Sequence, residues 1–112
     1  MNVLPYKTVG GKNLITAYID KLSIDEMVDG YDVLDKLEQD RLNELKIEHW
    51  RNQIYEVYFY KHNRIFYVVA DGKDMYLLHA CRKQKNKTES KDSEIIIKRA
   101  KKVGSILGMK FI

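Results

Sequence analysis

An α+β fold is predicted, with two N-terminal helices packed on a twisted antiparallel sheet of three to four strands and a helix at the C-terminus. Three observations carry that prediction. Apolar residues recur at helical spacing through the first part of the chain, from Leu14 to Leu45. Between residues 54 and 81 the spacing changes to alternation, rich in aromatic and β-branched residues and punctuated by turn sequences. Helical spacing then resumes over residues 90–107.

Each element has a local reason. Residues 3–7 suit a short edge strand, because Pro5 lacks the N–H that a central strand needs. Gly10 and Gly11 mark a turn. Leu14, Ile15, Tyr18, Ile19 and Leu22 place a first helix over about residues 12–21. Ser23 to Glu26 matches a capping box and starts a second helix. Its apolar stripe is Ile24, Met27, Tyr31, Leu34, Leu37 and Leu45, with Gly30 as a point for a kink. Residues 54–60, 64–70 and 75–81 form three strands joined by short turns, an antiparallel meander in which Gly72 supplies a positive φ. In the last helix Ile96, Ala100, Val103 and Leu107 make the buried stripe, and Gly104 or Gly108 ends it. The two N-terminal helices are expected on one face of the sheet, leaving the other partly open to a ligand.

Bulk properties narrow the classes of function. A chain of 112 residues is expected to form one domain, and 45% hydrophobic with 32% charged residues fits a soluble globular protein. No run of about 18 apolar residues occurs, and the first residues lack a signal-peptide layout, so a cytoplasmic location without membrane contact is expected. Cys81 is the one cysteine, which excludes an internal disulfide and makes a structural zinc site unexpected. The net charge of +4 is unevenly spread. Residues 82–102 hold nine Lys/Arg against three Asp/Glu, and residues 23–45 hold eight Asp/Glu against two Lys/Arg. The basic end suits a phosphate chain, RNA or DNA, although a solvated lysine-rich helix face has the same composition.

The chemistry-bearing residues gather around the strands. Strict alternation puts Leu77, His79 and Cys81 on one face of the last strand, and Leu78, Ala80 and Arg82 on the other. Arg64 opens an apolar strand, where it either pairs with Glu56 across the sheet or grips a phosphate. His79 is either a core histidine with one hydrogen bond or a proton-transfer group. Glu56 can orient these groups or act as a base. Tyr58 and Tyr60 can stack on a base or pack on the sheet. Trp50 reads as a core or loop anchor, and Cys81 as a small apolar residue. Arg82, Lys83, Lys85 and Lys87 place four cations in six residues, a repulsion that an anionic partner relieves.

The ordered segments Ile54-Tyr55-Glu56-Val57, Asn63-Arg64-Ile65-Phe66-Tyr67, Leu77-Leu78-His79-Ala80, Arg82 to Thr88 and Glu94 to Ala100 resemble the RelE/ParE toxin superfamily. They are most similar to its phage-derived, HigB-like branch, with its "lyElR", "yRilY" and "LLHgFxKKtqkT" strings. The resemblance spans nearly the whole chain. It implies a type II toxin–antitoxin toxin, an endoribonuclease that cuts mRNA on the ribosome with no metal or cofactor. The implied partners are a cognate antitoxin, the message and the ribosome. By motif position Arg64 would clamp the phosphate, and Lys83 with Arg82 would hold the backbone or offset transition-state charge. His79 or Glu56 would transfer protons, and Lys85, Lys87 and Tyr58 would bind RNA. The chain departs from the pattern at Tyr58, which replaces the arginine of "ElR", at Cys81, at Gln84, and at Glu48-His49 where a basic residue is usual. Those substitutions motivate a second reading, behind the endoribonuclease, on the same scaffold: a non-catalytic protein, either a gyrase-directed toxin or a phage inhibitor of a host factor.

Overall fold

The computed structural model describes residues 1–83 and 88–112. Its elements are β1 (Asn2–Pro5), α1 (Leu14–Ile19), α2 (Ile24–Glu38), a 3₁₀ turn (Leu42–Glu44), β2 (Ile47–Arg51), β3 (Ile54–Phe59), β4 (Asn63–Ala70), β5 (Asp74–Arg82) and α3 (Ser90–Leu107). The α+β class and the three helices stand as predicted, but the sheet has five strands in the order β1-β5-β4-β3-β2. It is mixed rather than antiparallel: β1 pairs parallel with β5 through Asn2–Asp74 to Pro5–Leu77. Pro5 therefore sits on an edge strand, as its missing N–H requires.

The additional strand is β2. Its sequence, IEHWR, carries little β-branched content, and its burial pattern is not a clean alternation. Asn52, at φ 51°, turns it into β3, and the register slips between His49 and Arg51. The second helix is shorter than its stripe suggests. It stops at Glu38, and Asp40 turns the chain through φ 60°. Leu42 and Leu45 pack on the core from the irregular segment that follows. Helix α2 runs unbroken through Gly30. A Cβ there would lie 3.0 Å from Phe59 and 3.1 Å from Ile19, so the glycine permits close approach of α2 to α1 and the sheet. The capping box is present in full, and α1 starts at Asn13, whose Oδ1 accepts from the N–H of Ile15 and of Thr16. Gly108, in the left-handed region at φ 68°, ends α3.

Both faces of the sheet are covered, which corrects the expected open face. Helices α1 and α2 bury Ile15, Ile19, Val33 and Leu37 against Val57, Phe59, Ile65, Tyr67, Met75 and Leu77. On the opposite face α3 buries Ile96, Ala100 and Val103 against Phe66, Val68 and Leu78, with Phe111 completing that core. Alternation assigns β3 and β4 to these faces correctly and fails in β5. Phe66 pairs with His79 and Tyr67 with Leu77, so Leu78 is an extra residue, a bulge. Leu77 and Ala80 consequently join the α1/α2 core, while Leu78 and Cys81 join the α3 core.

Among the described residues no helix is long and apolar enough to cross a membrane.

Candidate functional site

Strand register builds a charged cluster on the α3-side face, toward the C-terminal end of β5. Tyr58 stands opposite Arg64, Arg64 opposite Cys81, and Glu48 opposite Glu56. Arg64 and Glu56 are 3% and 2% exposed, so neither charge can be solvated by bulk water and each needs a partner. Arg64 Nε donates to Glu56 Oε1 at 3.1 Å, and Lys83 Nζ donates to the same oxygen at 3.2 Å. Arg64 Nη1 also donates to the carbonyl of Asn63. The guanidinium lies over the Tyr58 ring, with Cζ 3.6 Å from its centroid.

Tyr58 has a second set of contacts, from β2. Its hydroxyl donates to Glu48 Oε2 at 2.5 Å, and Lys46 Nζ lies 4.4 Å from its ring centroid. Burial and the bond to Glu48 push the Tyr58 hydroxyl up to about 12, while the same bond holds Glu48 below the usual carboxylate range. Glu48 and Lys46 were not among the predicted site residues. Their signal was the "unexpected" acid before the long strand, but it points nowhere until β2 is known to pair with β3.

The other predicted residues divide. Arg82 lies on the opposite face, which corrects its grouping with Arg64 and Lys83. Its Nη2 donates to Glu26 Oε1 at 2.7 Å, on a carboxylate that also accepts from Asn63 Nδ2 and Ser23 Oγ. Those hydrogen bonds, from Asn63 first and then Ser23, hold Glu26 down to about 2. Tyr18 donates to Asn63 Oδ1 and closes this network. Tyr60 packs beside the α1/α2 core, and Trp50 meets Phe66 edge-on beside the other core. Lys85 and Lys87 lie outside the described residues.

His79 points toward α3, on the same face as Arg64. Arg99 Nη1 lies 3.3 Å from its Nδ1, and its Nε2 lies 2.7 Å from Asp92 Oδ1. Arg99 has only protons to give, so this network assigns the imidazole proton to Nε2, donating to Asp92. Burial lowers the pKa of His79, which keeps the ring neutral near pH 7. His79, Cys81 and Asp92 present ligand atoms within 4.8 Å of one another. They fit a resident cation poorly. Metal binding at Nε2 would move the ring proton to Nδ1, against the Arg99 donor, the reverse of the usual support for a ligating histidine. Beside His79, a groove is lined by Lys12, Lys21, Tyr18 and Arg99.

The fold and site define a small α+β module: a five-stranded mixed sheet with both faces covered, and a buried carboxylate shared by two cations where β5 leaves the sheet. The chain belongs to the family described as phage-derived Gp49-like proteins, whose model matches residues 17–101. No curated protein matches it.

Proposed function

We propose that this Gp49-like protein is the toxin of a type II toxin–antitoxin system and an endoribonuclease that cleaves mRNA on the ribosome. The observation that carries this reading is the convergence of Arg64, Lys83, Glu56 and Tyr58 at one end of the sheet face. In this reading the 2′-hydroxyl of the RNA attacks the adjacent phosphorus. The Glu56 carboxylate accepts the hydroxyl proton. Lys83 and Arg64, which already hold an oxygen anion between them, transfer that grip to the phosphate oxygens as charge develops. Lys12, Lys21 and Arg99 offer the flanking backbone a second set of cations. The association of the Gp49-like family with RelE-like toxins supports the same reading, with HigB-like toxins as the branch and a co-encoded antitoxin as the stable partner.

A second reading has its own observation. Arg64 is buried and already neutralised by Glu56, and its guanidinium is stacked on the Tyr58 ring. A scaffold that uses this cluster for stability would act by binding a host protein instead of cutting RNA. Induced expression in bacteria with transcript-end mapping separates the two. New 5′ ends that appear with the wild type and vanish with Lys83→Ala support cleavage. Growth arrest with no new transcript ends, unchanged by Lys83→Ala, supports the binding protein. Lys83 is the variant of choice because its side chain is less buried than that of Arg64, 10% exposed against 4%.

A further inference from the structure

Helix α2 is apolar on two sides. One side, with Gly30, Val33 and Leu37, belongs to its own core. The other carries Ile24, Val28 and Tyr31 at i, i+4 and i+7, a single stripe in which Ile24 is 74% and Val28 62% exposed. Asp25, Asp32 and Asp35 are exposed around that stripe, so its surroundings are acidic.

A groove of about 320 Å³ lies on the other side of the sheet, between the β1 edge and the end of α3. Leu4 and Tyr76, register partners on β1 and β5, line it with Tyr6 and with Ile106, which is 72% exposed. The charged residues of its lining are Lys7 and Lys102, both cations. It lacks the several convergent polar groups that orient a small ligand, and its apolar lining gives a phosphate chain little to hold. Helices α2 and α3 cover opposite faces of the sheet. The acidic stripe and the basic groove therefore face away from each other, and one molecule cannot bring them together.

We propose that the α2 stripe of one copy docks in the β1/α3 groove of the next, a head-to-tail contact between copies of this chain. Ile24, Val28 and Tyr31 enter the groove as the anchors of an amphipathic helix do, and the acids around them meet Lys7 and Lys102. Each pairing leaves one groove and one stripe unfilled, so the contact propagates instead of closing as a twofold dimer. Two helical turns in one groove make a contact below the standard interface of about 1,200–2,000 Å². Assembly is therefore expected at high protein concentration and to weaken with salt. Neither surface contains Glu56, Arg64 or Lys83, so this contact stands apart from the RNA-cleavage reading.

Sedimentation velocity of the full chain, from micromolar to near-millimolar protein, tests the contact. The wild type is expected to sediment faster as concentration rises, and to lose most of that rise at about 1 M salt, where the Debye length is about 3 Å. Ile24→Gln/Val28→Gln removes the stripe, and Ile106→Glu places an acid in the groove. All three positions are exposed, so both variants are expected to fold, which circular dichroism checks. Each variant alone should stay monomeric, because each lacks one of the two surfaces. Their equimolar mixture should form a one-to-one dimer and stop there. The first variant still offers its groove and the second its stripe, and once these pair only the two altered surfaces remain. A wild type that stays monomeric throughout would overturn the proposal. So would association that survives in either variant alone, or a mixture that remains monomeric.

Discussion

Glu56 is the residue at which stability and function compete. Its carboxylate is almost wholly buried and holds two cations on one oxygen. Removing its charge strands Arg64 in a low-dielectric site, and breaking a buried pair from one side costs about 3–5 kcal/mol. Glu56→Gln should therefore lower stability by that order in urea denaturation. The double variant Glu56→Leu/Arg64→Met should recover part of the loss, because it leaves only Lys83, the less buried of the two cations, without its carboxylate partner. Arg64 was legible in the sequence as a choice between a Glu56 partner and a phosphate clamp, and the structure selects the ion pair for the free protein. Glu48 was not legible, because its partner is set by a strand pairing that the residue string does not announce. Cys81 gives a second prediction at this scale. Burial pushes its thiol up to about 12, so Ellman's reagent at pH 8 should react with it only after unfolding.

Among the elements, α2 and β5 show where periodicity informs and where it misleads. The capping box, the three-strand meander and the span of α3 are local patterns, and all three were readable. The bulge at Leu78 is not local. It arises because the β4 partner has one residue fewer at that point, and it rotates His79 onto the α3 side, where Asp92 and Arg99 meet it. Arg82 moves to the α2 side for the same reason. Gly30 makes the same point for packing. The sequence reads it as a helix weakness worth about 1 kcal/mol, whereas the structure uses the missing Cβ to seat Phe59 and Ile19. Those neighbours are 3% and 0% exposed and have little room to retreat. Overpacking of about 1–3 kcal/mol should outweigh the propensity gain, so Gly30→Ala is expected to lower the thermal midpoint. An increase in midpoint would show that α2 can move away from the sheet.

Across the whole molecule, Glu26 ties three elements together. From the first turn of α2 its carboxylate accepts hydrogen bonds from Asn63 at the start of β4 and Arg82 at the end of β5. The acidic α2 and the basic end of β5, opposite in charge along the sequence, are thus joined in space. That joint is sensitive to acid in a defined direction. Glu26 titrates at about 2 in the folded protein against an ordinary 4.5, so the unfolded chain binds the proton first as pH falls. Its stabilisation is fully present above pH 4.5, declines between 4.5 and 2, and is gone below 2. Other carboxylates also titrate in that interval, so the informative quantity is the difference in stability between wild type and Glu26→Gln. Urea denaturation followed by circular dichroism should show this difference constant from pH 7 to about 5 and shrinking as the pH approaches 2. A difference that stays level across the acid range would mean that Asn63 and Arg82 hold α2 to the sheet without help from the Glu26 charge.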